Sequence, residues 1–316
     1  MGLQIGELVP KKEIKIEDLK GKIIAVDAFN TLYQFLANIR QPDGTPLQDS
    51  KGHVTSHLSG LFYRTTNLMN RGLKLVYVFD GIPSKLKERT KEIRTARKEE
   101  AKQKYEEAKA RGSEEEMFKY SRQNIRLNDE MIQESKDLLE ALGIPVVQAP
   151  GEGEAQCSYI ARQGDAYAVS SQDYDSLLFG APRLIQNLTL ARKRRLASGA
   201  FIPVMPEMIE LQDVINTLQI THEQLICLGI LVGTDFNPSG VRSIGPKRAL
   251  QLVQVYKQPV LLFDALGKLV QEGKVPEPDF DWPDIFELFK KPDVTKDYKI
   301  KFHDINEKKV KELLCK

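Results

Sequence analysis

The sequence has few of the residues that hold disulfide-rich or zinc-binding domains together. Its 316 residues include three cysteines, which are widely separated, and four histidines, which show no spacing of metal ligands. A disulfide framework and a zinc cluster are therefore excluded. Scattered cysteines are typical of a reducing compartment, so we expect a cytoplasmic protein, associated with the nucleoid in an archaeon, or a nuclear protein in a eukaryote.

Long hydrophobic runs are also absent. Runs such as "LICLGILV" are far too short to span a bilayer, and "MGLQIGELVPKKEIK" has no apolar stretch of signal-peptide length. Neither a P-loop lysine motif nor GxGxxG occurs, which disfavours nucleotide-driven and dinucleotide-dependent enzymes. The 46 Lys and Arg residues nearly balance the 44 Asp and Glu residues. Net charge therefore predicts no partner, and the positions of the charges must be considered instead.

Short apolar segments alternate with helical patterns before residue 223. They lie at 22–29, 74–81, 144–150, 166–173 and 183–189. This alternation predicts an α/β fold with a mainly parallel sheet, and 128–142 is one of the helices expected between strands. From residue 223 onward the pattern is helical. We therefore expect a core over 1–222, which contains a charged insertion at 84–128, and a helical region over 223–316.

The charged insertion carries basic residues on one face of a predicted helix. These residues recur at steps of four, three, four and four: Lys87, Lys91, Arg94, Lys98 and Lys102. A solvated helix with ion pairs would show the same pattern. Because the basic stripe comes soon after a strand-end aspartate, Asp80, we favour contact with phosphate. The segment "ARGS" at 110–113 predicts a break between two helices.

Acidic residues follow four of the predicted strands and one apolar helix. They are Asp27, Asp80, Glu152, Glu154, Asp173, Asp175 and Asp235. A single acid at a strand end is more often a helix cap or part of a polar turn. In an open α/β sheet, however, ligands bind at the carboxyl ends of the strands, where most of these side chains are expected to meet.

A group of carboxylates at one place predicts a metal site, because like charges repel and a hard divalent cation is their simplest common partner. Two such ions can activate a water and stabilise the leaving oxygen of a phosphodiester. Glu152 and Glu154 cannot share one helix face, so we expect a helix to begin between them. The glycines Gly151 and Gly153 would let the backbone approach the metals.

Two basic segments predict contact with nucleic acid. In "SIGPKRALQLV" (243–253) the hydrophobic–Gly–x–Lys pattern is that of a helix-hairpin-helix turn. Gly245 would leave backbone amides open to a phosphate, and Lys247 and Arg248 add charge. A Gly-Pro turn between two packed helices is the simpler alternative. The compact run "RKRR" is a candidate loop near nucleic acid, a localisation signal or an exposed turn, and it begins with Arg192, Lys193 and Arg194.

Four long motifs, which together extend along almost the whole chain, resemble the flap endonuclease family of structure-specific 5′ nucleases. The motifs are "IAVDAFNTLYQFL", "VTSHLSGLFYRTTNLMNRGLKLVYVFDG", "APGEGEAQCSYIARQGDAYAVSSQDYDSLLFG" and "GVRSIGPKRAL". The compact length resembles the archaeal members. The resemblance implies a PIN-like α/β nuclease core, an inserted helical arch and a helix-hairpin-helix subdomain. It also implies metal-dependent cleavage of 5′ flaps at junctions of single- and double-stranded DNA, with 5′→3′ exonuclease activity, in replication and repair.

The resemblance assigns roles to the acids and to the arch. All seven acids match ligands of two Mg²⁺ or Mn²⁺ ions. The group nearer one ion comprises Asp27, Asp80, Glu152 and Glu154. The group nearer the other comprises Asp173, Asp175 and Asp235. Asp80 and Glu152 also count among the expected catalytic residues, together with Lys87 and Arg94, which match arch residues that grip the scissile phosphate.

The resemblance also implies further DNA contacts. Tyr33 matches an aromatic residue that stacks on the base beside the cut, and Gly2 lies near the active site in relatives. Arg40 falls in the region 34–64, which resembles the wedge that bends the junction. The helix-hairpin-helix turn of relatives binds a monovalent cation, commonly K⁺, and here Ser243 stands where many of them carry glycine.

The expected partner is branched DNA, bound by a monomer without membrane contact. Family members usually end in a sliding-clamp-binding motif of the form Gln-x-x-Leu-x-x-Phe-Phe, but this sequence ends in "KVKELLCK". Clamp binding is therefore expected from the family alone. A 5′→3′ exonuclease or a junction-cutting relative of the same core is the main alternative. A non-catalytic DNA-binding scaffold is disfavoured by the full set of acids. A Mg²⁺ phosphatase would leave the basic arch without a purpose.

Overall fold

The structure is a computed structural model that describes residues 3–41, 43–189, 193–195 and 201–315. Its main sheet has seven strands in the order β1-β9-β6-β5-β2-β3-β4, and β7 pairs with β8 in a separate hairpin. The strands are β1 (Lys12–Glu13), β2 (Ile23–Asp27), β3 (Lys74–Phe79), β4 (Val146–Gln148), β5 (Ala168–Ser170), β6 (Arg183–Gln186), β7 (Lys193–Arg195), β8 (Phe201–Pro203) and β9 (Glu207–Glu210).

Helices flank the sheet and form the C-terminal region. Those in the described residues are α1 (Ala28–Asn38), α2 (Ser56–Asn70), α3 (Glu88–Ala110), α4 (Glu114–Ser121), α5 (Asp129–Ala141), α6 (Gly153–Arg162), α7 (Asp175–Leu178), α8 (Leu211–Leu218), α9 (His222–Val232), α10 (Pro246–Val255), α11 (Pro259–Gln271), α12 (Trp282–Lys290) and α13 (Glu307–Leu314). None of them combines the length and the apolar character that crossing a membrane requires.

The predicted α/β fold with a mainly parallel sheet is confirmed. All five expected strands form, and β2, β3, β4, β5 and β6 run parallel to their neighbours in that set. The sequence interpretation missed β1 and β9, which pair antiparallel at one edge of the sheet. These two strands are short, and β1 consists of two exposed charged residues, so no apolar pattern marks it.

The central strands are buried on both faces, and their alternate side chains contribute to two separate hydrophobic clusters. Val76 and Val78 belong to the cluster on one face of the sheet. Leu75, Tyr77 and Phe79 belong to the cluster on the other, with residues of α1, α2 and α5. The Tyr77 hydroxyl lies 2.8 Å from that of Thr65, which satisfies its hydrogen-bonding need in the core.

The C-terminal helices share a core with the sheet. Helix α9 is almost entirely buried, and its residues lie in the same hydrophobic cluster as Val76 and Val169 of the sheet. The ring of Phe289, from α12, packs against Phe179 at a centroid distance of 4.8 Å and against Phe236 at 5.3 Å. The division of the chain at residue 222 therefore stays a prediction from the sequence.

The charged insertion forms a pair of helices, as expected. Helix α3 extends for 23 residues with only three buried side chains. The predicted break at 110–113 is confirmed, because α3 ends at Ala110 and α4 begins at Glu114. Gly112 makes the reversal with a φ of 68°, in the left-handed region that glycine enters without a steric penalty.

Replacing Phe289 by alanine should lower the free energy of unfolding by about 3–5 kcal/mol, the usual effect of removing a buried aromatic ring. The exposed Val260→Ala, with Val260 at 58% exposure, should change it by less than about 0.5 kcal/mol. Denaturant unfolding of both variants measures the difference. Because the core is shared, one transition is expected, and two separate transitions would show that residues 223–316 fold independently.

Candidate metal centre and nucleic-acid interface

Two of the acids end neighbouring parallel strands and also accept hydrogen bonds from backbone N–H groups at the start of helices. Asp27 is the last residue of β2, and its Oδ1 accepts a 3.0 Å hydrogen bond from the backbone N–H of Asn30 in α1. Asp80 follows β3, and its Oδ1 accepts a 2.9 Å bond from the backbone N–H of Gly153 in α6. The simpler interpretation of a strand-end acid as the N-cap of the next helix is therefore correct for Asp27. Asp80 instead binds the start of a helix that is distant along the chain, and neither contact excludes a second role.

Helix α6 begins between the two glutamates, as predicted. Glu152 precedes its first residue and Glu154 is its second, so both lie at the helix N-terminus. Gly153 is required here, because a Cβ atom at this position would collide with the Asp80 carboxylate. The close approach that this glycine permits is thus between the α6 backbone and Asp80. A Cβ at Gly151 would meet nothing closer than 3.7 Å.

The remaining acids come from turns on the same side of the molecule. Asp173 lies in the turn after β5, where its backbone N–H donates to Ser171 Oγ at 3.2 Å. Asp175 is the first residue of α7 and is 2% exposed. Asp235 follows α9, which ends at Val232 and is capped by Gly233 with a φ of 112°.

The structure brings all seven acids together. The Ser171 hydroxyl lies 3.3 Å from Asp27 Oδ2 and 3.4 Å from Glu154 Oε1. The Lys87 ammonium contacts Glu152 and lies 3.7 Å from Asp235. Electrostatic interactions connect the other members of the set. The sequence interpretation expected this convergence. It had no signal for Ser171, whose partners are distant along the chain.

Burial and mutual repulsion make these carboxylates harder to ionise than ordinary ones. Burial, with Asp80 nearby, raises the pKa of Asp27 to about 8. Burial, with Asp235 nearby, raises the pKa of Asp175 to about 8. For Asp80, burial and Glu152 raise the pKa to about 6. The pKa values of Glu154 and Asp173 are also raised, first by burial and then by neighbouring acids. The ionised set therefore requires nearby positive charge.

The donor set fits a hard divalent cation. Glu152 Oε1 and Asp175 Oδ1 are buried and have no hydrogen-bond partner among the described residues. A carboxylate oxygen in that situation is stabilised by a bound cation, and Mg²⁺ and Mn²⁺ prefer oxygen ligands. In the described part of the chain no three of these side chains enclose a single ion. Mg²⁺ commonly retains several waters and is held directly by one or two carboxylates, so this spacing suits it.

Two residues of the predicted arch, Lys87 and Arg94, form ion pairs with the acids. Burial lowers the pKa of Lys87, but the Glu152 and Asp235 carboxylates more than offset this and raise it above the ordinary value. Arg94 Nη2 donates to Asp235 Oδ2 at 2.7 Å. The ring of Phe236, which no sequence motif had marked, has its centroid 5.1 Å from Lys87 Nζ. Both cations stay charged and reach the acids from the arch.

Of two other residues predicted to contact DNA, Tyr33 lies beside the acids and Arg40 is bound within its own loop. The ring of Tyr33 is 37% exposed, and Lys98 Nζ lies 5.7 Å from its centroid. Tyr33 also interacts electrostatically with Arg94 and Asp80, which places it beside the acids. The Arg40 guanidinium instead donates to the carbonyls of Leu36, at 2.6 Å, and Gly44, at 2.7 Å. It fixes the local loop, and its contact with DNA stays a prediction.

The predicted helix-hairpin-helix turn forms between α9 and α10. Gly245 precedes the first residue of α10, and Lys247 and Arg248 are exposed on its first turn. Ser243 has a φ of 71°, in the left-handed region that favours glycine, which gives a physical reason for glycine at this position in relatives. The two basic residues Lys193 and Arg194 lie in β7. Gly2 and Arg192 lie outside the described residues.

Comparison with known proteins decides the family. The family model described as the XPG N-terminal domain matches residues 4–101, and that of the XPG I-region matches residues 143–235. Flap endonuclease 1 of Hyperthermus butylicus is 51% identical over 320 residues, which cover 99% of this chain and 89% of the relative. The chain belongs to the flap endonuclease family. Members of this family are nucleases that hydrolyse DNA and depend on divalent metal ions.

Solved structures agree with this membership. The flap endonuclease of Methanococcus jannaschii matches with a TM-score of 0.76 at 39% identity, covering 99% of this chain and 92% of that one. The catalytic core of Rad2, solved in complex with a DNA substrate, matches with a TM-score of 0.69 at 21% identity, covering 98% of this chain and 91% of that one. The second match shows a shared fold. The flap endonuclease fold expected from the sequence is thus confirmed.

The stability of this flap endonuclease relative in EDTA should fall as the pH rises through neutrality. Asp27 and Asp175 have pKa values of about 8, against an ordinary 3.8. Between these values the folded state binds more protons than the unfolded state, so the free energy of unfolding decreases with rising pH. Thermal unfolding at about pH 6 and about pH 8.5 measures the change.

Mg²⁺ should restore stability at the higher pH, because it binds the ionised carboxylates of the folded state. Asp175→Asn removes one titrating group and should therefore reduce the pH dependence in EDTA. The exposed Asp213→Asn, on α8, is the matched control and should leave the dependence unchanged. A melting temperature in EDTA that does not vary with pH would contradict the raised pKa values.

Proposed function

We propose that this chain is a structure-specific 5′ flap endonuclease that cuts branched DNA at junctions of single and double strands, in replication and repair. The observation that carries the proposal is the contact of Lys87 and Arg94, from the arch, with two of the seven acids. Lys87 contacts Glu152, at the start of α6, and Arg94 contacts Asp235, which follows α9. The family supports the same activity, since two flap endonuclease 1 relatives are 51% and 50% identical to this chain over 99% and 100% of its length.

The seven acids are the proposed ligands of two Mg²⁺ ions, which Mn²⁺ can replace. Asp27, Asp80, Glu152 and Glu154 would lie nearer one ion, and Asp173, Asp175 and Asp235 nearer the other, each acid binding its ion directly or through water. When bound, such ions supply a nucleophilic water at neutral pH and stabilise charge on the phosphate oxygens. Hydrogen bonds from the chain orient several of the ligands, including those from the backbone N–H groups of Asn30 and Gly153.

The arch residues would orient the scissile phosphate and stabilise its charge. Lys87 is held in a nearly buried position by two carboxylates and a ring, so its ammonium is preorganised where the strand must pass. Arg94 offers a planar guanidinium beside it, and part of that side chain stays exposed. Tyr33, which interacts electrostatically with Arg94, would stack on the adjacent base.

The helix-hairpin-helix turn is proposed to hold the duplex through its backbone. Exposed Lys247 and Arg248, with the open N-terminus of α10, provide contacts to phosphate that carry no sequence information. Binding of K⁺ at this turn, a monomeric state, a cytoplasmic location and binding of a sliding clamp are further proposals that rest on the family resemblance.

The function is tested by comparing double-flap, gapped and blunt duplex substrates with Mg²⁺ and with EDTA. Cleavage of the double flap near its junction, in Mg²⁺ alone, is expected. Equal digestion of blunt and gapped duplex would indicate a 5′→3′ exonuclease instead. Binding of all substrates without cleavage would indicate a scaffold.

Asp80→Asn and Asp175→Asn should each reduce flap cleavage by more than about 100-fold while leaving flap binding nearly unchanged, because each variant keeps the side-chain shape and loses the charge that holds a metal ion. Single-turnover cleavage rates and equilibrium binding in Ca²⁺ measure the two effects. The exposed Asp213→Asn should cut at the normal rate. If either active-site variant cut nearly as fast as the unchanged protein, the assignment of the acids as metal ligands would fail.

Lys87→Met should slow single-turnover cleavage by about 100- to 1000-fold, the range seen when one preorganised donor to a transition state is removed. Flap affinity should change much less, because other contacts hold the DNA. Lys109→Met removes an exposed charge from α3, the helix that Lys87 directly precedes, and is the matched control. A loss of affinity as large as the loss of rate would show that Lys87 binds the substrate without acting in the chemical step.

A further inference from the structure

A network of amide side chains lies beside the acids, and its centre is Asn30. This residue is in the first turn of α1 and contacts two acids in different ways. Its backbone N–H donates to Asp27 Oδ1 at 3.0 Å, and its side-chain Nδ2 donates to Asp173 Oδ2 at 3.1 Å. Asn30 therefore connects one member of each proposed ligand group.

The orientation of the Asn30 amide is fixed by its other neighbours. Its Oδ1 accepts from the backbone N–H of Gln172 at 3.4 Å and from Gln34 Nε2 at 2.5 Å. A backbone N–H only donates, so the oxygen of Asn30 must face it and the NH₂ group must face Asp173. Gln34 is held in turn, because its Oε1 accepts from Thr189 Oγ1 at 3.4 Å.

The carboxylate of Asp173 is held by a side chain, whereas those of Asp27 and Asp80 accept hydrogen bonds from backbone N–H groups. It lies in a turn after β5, where its backbone is held through Ser171. The Asp173 carboxylate accepts a hydrogen bond from the Asn30 side chain, and the orientation of that donor is fixed by its own neighbours. Such a bond limits rotation of the carboxylate and reduces the entropy lost when an ion binds.

We propose that Asn30 is a positioning residue that sets the metal affinity of the group containing Asp173 and has little influence on the group containing Asp27. The difference follows from the two contacts. The bond to Asp27 comes from the backbone, which any residue at position 30 retains. The bond to Asp173 comes from the side chain and is lost on substitution. The proposal rests on the proposed function, which assigns the acids as metal ligands.

The test is Asn30→Leu, which keeps the approximate volume and removes the side-chain donor. Mn²⁺ is titrated into the protein without DNA, and free and bound ions are measured by electron paramagnetic resonance. The unchanged protein should bind two ions. The variant should bind one ion with unchanged affinity and the other about 10- to 100-fold more weakly, the usual effect of removing an outer-shell partner of a ligand. Spectral coupling between neighbouring ions should disappear at Mn²⁺ concentrations that fill only the unchanged site.

Asn216→Leu, the same substitution on the exposed face of α8, is the control and should bind both ions normally. Thermal unfolding in EDTA shows whether the Asn30 variant remains folded. The proposal is overturned if Asn30→Leu binds two ions with unchanged affinity. It is also overturned if both affinities fall equally or if the melting temperature in EDTA falls with them, since either result indicates a general structural role. Gln34→Leu gives a second test, because loss of its support for Asn30 should weaken the same ion.

Failure of the inference can be separated from failure of the proposed function. The Mn²⁺ titration involves no cleavage, so a selective effect of Asn30 would stand even if flap DNA were not the substrate. Conversely, normal flap cleavage with unchanged Mn²⁺ binding in Asn30→Leu would leave the function intact and remove Asn30 from it. If the unchanged protein bound no Mn²⁺, the ligand assignment and this inference would fail together, while flap binding would remain to be measured separately.

Discussion

Repulsion among carboxylates held at one edge of a sheet is the constraint on which the surrounding structure depends. Asp27 and Asp175 are 3% and 2% exposed, so water screens their charges poorly. The chain nevertheless keeps seven acids in this region. Each must be protonated, hydrogen-bonded or placed near positive charge. The elements around the acids supply hydrogen bonds and positive charge.

Helix N-termini provide part of that compensation. Helices α1, α6 and α7 all begin at acids of the set, and their N-terminal dipoles favour negative charge. Parallel strands favour this arrangement, because the carboxyl ends of neighbouring strands lie at one end of the sheet, where the helices that follow them begin. The same backbone geometry that makes Asp27 an ordinary cap therefore also brings it to the other acids. Local and functional interpretations of such a residue are compatible.

The sequence predicts the parts of this site that depend on local pattern. Apolar runs predicted the central strands, the Glu-x-Glu spacing predicted the start of α6 between Glu152 and Glu154, and "ARGS" predicted the break between α3 and α4. Local pattern could not reveal contacts between distant segments. Asn30 meets Asp173 across 143 positions, and Lys87 meets Glu152 across 65. Polar side chains on a helix face look solvent-directed until the fold supplies their partners.

The arch and the acids are connected at Asp235. Lys87 and Arg94 lie against its carboxylate, and the Thr90 hydroxyl donates to its backbone oxygen at 2.6 Å. All three arch residues come from the first turns of one helical segment, while the rest of α3 buries few side chains. The base of the arch is thus held largely by polar contacts to a proposed metal ligand. An anion that bound at these cations would compete with the Asp235 carboxylate for both of them, so its binding would weaken two of the contacts that hold the base of the arch.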